Sequence, residues 1–193
     1  MRAICLFLPL GLAACGAASE PDLVDALSAY CGQSFEGRIV SEDPQDEDWR
    51  AQTLTIHIRD CESDRVRIPL HVGENRSRTW IISRTATGLR LKHDHRHEDG
   101  HEDVLTQYGG DSSGPVAGSV DFPVDAFSKA LFERENIPAS IENTWTVSLD
   151  TTRFVYALNR PERHFEAVFD LTRPVPTPPP AWGYNETEAA NAH

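Results

Sequence analysis

The sequence predicts a mainly β protein, folded as an antiparallel up-and-down barrel or as a two-sheet sandwich. Apolar and polar residues alternate with period two over several segments, as in strands with one buried face. Turn signals such as Gly73-Glu74-Asn75 and Asn159-Arg160-Pro161 separate these segments. About nine short strands in one domain bury one face most readily as a rolled antiparallel sheet.

The individual strands follow from that alternation. It is clearest in three segments, where Leu, Ile, Val or Phe occupies every second position: 54–58, 66–72 and 165–171. Weaker alternation predicts further strands at 78–84, 88–97, 104–108, 116–122, 144–149 and 153–159.

Two helices are predicted, one at the N-terminus of the domain and one inserted among the strands. The first is expected to start at a Ser19 cap and to end at Gly32 as its C′ glycine. The second spans 125–136, with Asp125 as its cap. The stripe predicted to be buried on this second helix is Phe127, Ala130 and Leu131.

Composition bounds the class of protein. The 193 residues are 39% apolar, which is enough for the core of one globular domain. There are 30 acidic and 18 basic side chains, and the net charge is -12. Because the basic residues are scattered among carboxylates, we expect no nucleic-acid partner. The acidic stretch 42–48 lacks the spacing of a calcium-binding loop and is predicted to be a solvated loop.

The first segment has the features of a targeting signal. Residues 1–14 combine a positive start, a short apolar run and small residues before Cys15. The last part, Leu12-Ala13-Ala14-Cys15, resembles the lipobox of bacterial lipoproteins. The resemblance implies that the Cys15 thiol carries lipid, with palmitate-type acyl chains anchoring the protein to a membrane, and that 15–18 is a short tether. An ordinary secretory signal cut nearby is the alternative.

The same resemblance predicts a location. Gly16 and Ala17 follow the cysteine, where an aspartate would favour retention in the inner membrane. We therefore expect a lipid-anchored protein of the bacterial cell envelope, in the outer membrane and facing the periplasm.

The four cysteines then have separate roles. Cys5 leaves with the signal peptide and Cys15 carries lipid, so Cys31 and Cys61 remain in the mature domain. In an oxidising compartment these two are expected to form one disulfide bond. Two buried thiols, or a thiolate metal site, are the alternatives.

Half of the eight histidines lie within 92–101, which makes this segment the main candidate for chemistry. His93, His95 and His97 continue the inward-facing row that begins with Leu89 and Leu91.

A metal site is one interpretation of this row. If Asp99-Gly100 forms a two-residue type I′ turn, His97 lies opposite Glu102 on the next strand. His95, His97 and Glu102 would then converge on Zn²⁺ or another divalent transition metal. His93 is a weaker fourth candidate because it lies ~13 Å from His97 along a strand. The alternative is that these histidines form ordinary hydrogen bonds at a barrel mouth or lie in solvent at the hairpin tip. A slip of the register by one residue would also separate the three ligands.

The chain is predicted to be one β-rich domain over 19–173, followed by a proline-rich tail over 174–193. Five prolines before Trp182 favour a polyproline II conformation for the tail. This tail is either a docking peptide for a protein partner or a segment that packs Trp182 on its own domain.

The segments 89–110 and 165–174 resemble uncharacterised bacterial secreted proteins and lipoproteins, for which no activity is known. The function expected from these observations is a non-enzymatic envelope protein that binds a ligand or partner or serves a structural role. Two alternatives remain: a metal-binding or metal-dependent enzyme that uses His95, His97 and Glu102, and a lipocalin-like carrier of small apolar molecules.

Overall fold

The structure is a computed structural model that describes residues 21–113 and 118–184. Its strands are β1 (Ser34–Ile39), β2 (Leu54–His57), β3 (Asp60–Glu62), β4 (Arg65–Val72), β5 (Asn75–Arg84), β6 (Leu89–His95), β7 (Tyr108–Asp111), β8 (Ser119–Pro123), β9 (Thr144–Leu149), β10 (Arg153–Arg160) and β11 (Arg163–Val175). Its helices are α1 (Leu23–Ser28), α2 (Glu47–Arg50) and α3 (Ala126–Arg134), with 3₁₀ turns at Pro44–Asp46 and Pro138–Glu142. The predicted signal peptide 1–14, the Cys15 lipid site and the tether 15–18 lie outside the described residues.

The strands form an antiparallel barrel-like sheet in up-and-down order. Strand order is β7-β6-β5-β4-β2-β1-β11-β10-β9-β8, and β3 is attached to β4 beside this path. The first and last strands pair with each other, so the chain closes on itself through β1 and β11. The mainly β prediction is confirmed, and of its two architectures the barrel is the one formed.

The barrel is nearly closed because β7 and β8 meet at only one point. A single bridge joins Gly110 and Val124 there. A Cβ atom on Gly110 would lie 2.1 Å from the Pro123 carbonyl oxygen. Glycine is therefore required for the two strands to approach at this seam.

One end of the barrel is covered by α1. Leu23, Val24 and Leu27 are buried there. The Asp22 carboxylate caps the helix by accepting from the Val24 and Asp25 amides, and it pairs with Arg84 at the end of β5. These contacts fix which end of β5 faces the helix.

The boundaries of this first helix differ from those predicted. Its cap is Asp22, because a carboxylate there reaches two free amides of the first turn. Ser19 lies outside the described residues. Gly32 is not the C′ residue: the helix ends at Ser28, and Gly32 has a φ of 80° in the turn that follows.

The strand prediction missed two strands and misplaced one. The missed strand β1 has a glycine at an inward position, where Gly37 leaves room for the Phe169 ring and interrupts the apolar alternation. The short β3 carries too few residues to show a period. The predicted strand 104–108 is a loop up to Tyr108, and Val104 is 62% exposed. Part of the predicted strand 116–122 lies outside the described residues, and the remainder belongs to β8.

The inserted helix is confirmed, with Asp125 as its cap, but of the three residues predicted to be buried only Leu131 is. The buried residues are Ser128, Leu131 and Phe132, whereas Phe127 is 56% exposed. The helix is turned toward β7 because the Ser128 hydroxyl accepts a hydrogen bond from the Gly109 amide at 2.7 Å.

The predicted disulfide is confirmed. Cys31 and Cys61 are bonded, with Cα atoms 6.1 Å apart, and the bond links the turn after α1 to β3.

The tail begins two residues later than predicted, because β11 continues to Val175. Its described part, 176–184, lies along the outside of the domain. The Trp182 amide donates to the Arg76 carbonyl at 3.0 Å, and the Arg59 guanidinium lies 3.5 Å from the Tyr184 ring centroid. Binding of a protein partner by the tail stays a prediction.

Among the described residues, none of the helices is both long enough and apolar enough to cross a lipid bilayer.

Candidate ligand-binding cavity

A cavity of about 530 Å³ lies in the barrel, and Arg78 near the start of β5 is one of its walls. Arg84, at the other end of that strand, meets the α1 cap. Six residues of strand separate the two arginines, or roughly 20 Å. The cavity therefore lies toward the barrel end away from α1, and its volume falls in the range typical of small-molecule sites, about 300–1,000 Å³.

Inward-facing side chains change from apolar to polar toward this end on four strands. Period-two spacing places these residues on one face of each strand. From the covered end outward, the rows are Ile82, Trp80 and Arg78 on β5; Leu91, His93 and His95 on β6; Phe154, Tyr156, Leu158 and Arg160 on β10; and Phe169, Ala167, Phe165 and Arg163 on β11.

Aromatic side chains form the floor of the cavity. The Trp80 and Tyr156 rings come from strands on opposite sides of the barrel and stack with centroids 4.3 Å apart. The His93 ring stacks on Tyr108 at 4.5 Å and lies 5.2 Å from Trp145. These contacts fill the barrel cross-section, so the cavity ends at this layer.

His93 fixes the floor through both of its ring nitrogens. Nδ1 lies 3.1 Å from the Tyr108 carbonyl oxygen, which can only accept, so Nδ1 carries the proton and donates. Nε2 then accepts from the Tyr156 hydroxyl at 2.7 Å. Burial lowers the pKa of His93 to about 3, which keeps the ring neutral at pH 7.

Two neighbouring groups of the site are neutral for the same reason. Burial, assisted by the nearby Arg78 charge, lowers the pKa of His95 to about 4. Burial also raises the pKa of Tyr108 to about 12. The His95 ring lies within 3.4 Å of the Tyr108 hydroxyl.

The wall above the floor has an apolar side and a polar side. Leu54, Leu70, Leu158, Phe165 and Ala167 form the apolar side, on β2, β4, β10 and β11. On β5 and β6 the wall is polar, because Arg78 and His95 are directly opposite each other in the sheet register. A ligand with one apolar and one polar side would match this arrangement.

A buried ion pair lies at the rim. The Arg163 guanidinium contacts both oxygens of the Asp46 carboxylate, one of them at 3.1 Å, and the Ser41 hydroxyl donates to Asp46 at 2.8 Å. Asp46 is 2% exposed. Burial tends to raise the pKa of this carboxyl, but its hydrogen bonds to Arg163 and Ser41 outweigh that effect and hold the pKa below its usual value.

The acidic stretch that contains Asp46 is largely exposed, as predicted, but it is not an irregular loop. It folds into the 3₁₀ turn Pro44–Asp46 and α2, with Asp46 turned inward because Arg163 neutralises it. Trp49, on α2, also lines the cavity.

Arg78 lines the cavity from β5. Its guanidinium donates to the Asn75 side-chain oxygen at 3.1 Å and to the Ser77 hydroxyl at 2.9 Å, and it lies 4.8 Å from the Trp49 ring centroid. All three contacts are with neutral groups. Burial lowers the pKa of Arg78 from its usual value, as expected for a charge without a bonded counterion.

Asn143 supplies a further polar group. Its side chain is 5% exposed and lines the cavity, and its Oδ1 atom has no hydrogen-bond partner among the described residues. Buried polar atoms are normally paired, so this oxygen is an exception among the polar groups around the cavity.

The register predicted for the histidine hairpin is wrong by one residue. Arg96, not His97, lies opposite Glu102, because three residues rather than two form the turn that follows His97. Glu102 consequently faces the outer side, where the Arg96 and Gln107 side chains donate to it at 3.4 and 3.0 Å. A one-residue shift moves a side chain to the other face of the sheet.

His95, His97 and Glu102 are therefore not brought together. The His97 side chain is 60% exposed at the hairpin tip and its Nε2 lies 3.6 Å from Asp103. His93 has both nitrogens engaged in the floor. Within residues 21–113 and 118–184, no group of three or more His, Cys, Asp or Glu side chains is placed to hold a metal ion.

The prediction concentrated on the histidines and missed the arginines and aromatics of the cavity. The alternation pattern could have identified two of the arginines as inward-facing. Arg78 is in phase with Trp80 and Ile82, and Arg160 is in phase with Tyr156. Asp46 gave no such signal because its burial depends on Arg163, 117 residues away in sequence.

In comparisons with known proteins, no protein-family model, curated protein or solved structure matches this chain.

Proposed function

We propose that this chain is a lipid-anchored binding protein of the bacterial envelope, whose barrel holds a small molecule with an apolar body. The barrel is the scaffold and the cavity above the aromatic floor is the binding site. The proposal assigns no chemical turnover to the site.

One observation carries the proposal: the barrel interior is filled up to the Trp80–Tyr156 layer and contains a cavity of about 530 Å³ above it. Aromatic and aliphatic walls with a few polar groups are typical of small-molecule sites. The polar groups of the floor bind one another, as His93 does with Tyr156, which keeps the floor preorganised.

The lipid anchor is proposed from the sequence. The Cys15 lipobox precedes the first described helix by few residues, so the tether holds the domain near the membrane. A binding protein held there would receive or deliver its ligand at the membrane surface.

The binding site is tested with N-phenyl-1-naphthylamine, a neutral apolar dye that fluoresces when it leaves water. We expect the purified mature domain to bind one dye molecule. Leu158→Trp, which adds bulk to the apolar wall, should weaken binding by at least about tenfold. The matched control is Val155→Trp, on the outer face of the same strand, which should leave the affinity within about twofold.

Dye binding that is blocked only by Leu158→Trp would support the site. No binding by the wild-type domain, or equal binding by both variants, would overturn it. Urea denaturation of each variant establishes that it is folded.

The anchor has its own test in bacteria that express the full chain. Labelled palmitate should be incorporated into the wild-type protein, and Cys15→Ser should abolish both labelling and recovery in the membrane fraction. Cys5→Ser is the matched control and should retain both. Labelling that survives Cys15→Ser would refute the lipid site.

A further inference from the structure

We propose that the cavity selects amphipathic ligands with a single anionic group, such as a carboxylate, and that Arg78 is the residue that binds this group. The inference rests on the proposed function, since it specifies what the same cavity binds. It follows from how the charges of the cavity are paired.

Arg78 differs in its contacts from Arg163 and Arg84. Arg163 is paired with Asp46 and Asp43, and Arg84 with Asp22 and Asp25. The recorded contacts of Arg78 within the described residues are with a side-chain amide oxygen, a hydroxyl and an indole ring. A guanidinium held on neutral groups keeps its charge and further donors for a ligand.

The carboxylate nearest to Arg78 along the rim is already engaged. Asp103 accepts from the Leu105 amide at 2.8 Å, and its other oxygen lies 3.6 Å from His97. Arg78 and Asp103 are not among the ion pairs within 4.0 Å in the described part of the chain. Asp103 therefore moderates the positive potential at Arg78 without binding its donors.

The positive charge left in the cavity lies at Arg78 and Arg160. Of the three arginines and two aspartates in the lining, Arg163 is neutralised by Asp46 and by Asp43 beside it, so Asp103 is the lining carboxylate that remains to offset the other two arginines. Arg160, whose Nη1 donates to the Ser140 hydroxyl at 3.3 Å, is a second cation without a carboxylate among its recorded contacts. An anionic ligand would compensate this excess, whereas a cationic ligand would increase the repulsion.

The position of Arg78 relative to the aromatic floor explains why the ligand is expected to be amphipathic. Arg78 is one inward-facing step above Trp80, which corresponds to roughly 6.6 Å along the strand. An anion bound at Arg78 therefore places the attached body against the aromatic floor and the leucine-rich wall.

Two dyes that differ by one charged group test this selectivity. 1-Anilinonaphthalene-8-sulfonate is N-phenyl-1-naphthylamine with an added sulfonate. We expect the wild-type domain to bind the sulfonate form at least about tenfold more tightly than the neutral form, because a charge-assisted hydrogen bond is added. Arg78→Met should remove most of this preference, which is measured as the ratio of the two dye affinities in the same variant.

Two further variants complete the test. Arg78→Lys keeps the charge without the planar fork and should retain part of the preference. Arg153→Met, at a 61% exposed arginine on β10, is the matched control and should change neither affinity. Decanoate should displace the neutral dye more effectively than decanol, which extends the result from a sulfonate to a carboxylate.

The outcomes separate the two proposals. Equal affinity of the wild-type domain for both dyes, or an unchanged preference in Arg78→Met, would overturn the anion site while the cavity remains a binding site. If the neutral dye does not bind to the wild-type domain, or if Leu158→Trp does not weaken its binding, the proposed function itself is overturned.

Discussion

Trp80 and Tyr156 lie on opposite sides of the barrel and stack with their ring centroids 4.3 Å apart. This contact divides the interior into a filled part and a cavity. The Tyr156 hydroxyl donates to His93, so the orientation of the stack depends on a buried hydrogen bond. The order of the proposed binding site consequently depends on this layer.

Tyr156→Phe tests the layer. The variant keeps the ring but leaves His93 Nε2 without its donor, so we expect the free energy of unfolding to fall by about 1–2 kcal/mol. Urea denaturation measures this change. Tyr30→Phe, whose ring packs edge-on against Phe35, is the control and should cost less than about 0.5 kcal/mol. Equal losses in the two variants would contradict a specific role for the hydrogen bond.

The Asp46–Arg163 pair is expected to be essential for stability. Asp46→Asn leaves the Arg163 charge buried with only Asp43 as a counterion, at 3.2 Å, and should cost about 3 kcal/mol. A double-mutant cycle with Arg163→Met isolates the coupling, which we expect to exceed about 1 kcal/mol. Additive effects of the two substitutions would show that the pair contributes nothing beyond its separate side chains.

The disulfide is expected to stabilise the fold without affecting the cavity. The bond spans 30 residues, so replacing Cys31 and Cys61 together by serine should lower the free energy of unfolding by roughly 3 kcal/mol. The affinity for the neutral dye should be unchanged below the denaturation midpoint, because the bond lies beside α1. Loss of dye binding in a variant that is still folded would refute this separation.

Acidification is expected to destabilise the protein between pH 6.5 and about 4. Burial lowers the pKa values of His71 and His95 to about 4 and that of His93 to about 3, whereas the unfolded chain titrates near 6.5. In this window the unfolded state binds more protons than the native state, so stability falls as the pH falls. Above pH 6.5 the buried histidines make their full contribution to the free energy of unfolding.

Urea midpoints at pH 7 and pH 5 measure this dependence. His71→Leu should reduce the slope by roughly a quarter to a third, because His71 is one of four histidines, with His57, His93 and His95, whose pKa burial lowers. His101→Gln, at an 84% exposed side chain, should leave the slope unchanged. A slope that His71→Leu does not alter would show that other groups cause the acid sensitivity.

Much of the fold could be predicted locally. Strands such as β4 and β10 have long alternating patterns, and α3 begins at a capping aspartate. The strand β1 could not be predicted from its local sequence, because a glycine at an inward position interrupts the alternation of apolar and polar residues. Phe127 and Ala130 on α3 were wrongly predicted to be buried, because the contact between Ser128 and the Gly109 amide turns the helix.

The cavity was less predictable than the fold. The inward phase of His93 and His95 followed from alternation and is confirmed by their place in the cavity wall. Glu102 was assigned to the wrong face because a three-residue turn shifts the hairpin by one position. Turn length depends on small differences in backbone energy, whereas the consequence of a shift is complete reversal of the face.

The sequence by itself determined the fold class, the pairing of Cys31 with Cys61 and the inward direction of the histidine row. Local periodicity and the number of available cysteines are sufficient for these. Tertiary structure alone decided that the sheet forms a barrel, that Asp46 is buried against Arg163, and that Arg78 faces the cavity without a bonded carboxylate. Each of these features depends on contacts between residues that are distant in sequence. The free energies of those contacts depend on which charged groups and aromatic rings lie next to each other once the barrel has closed.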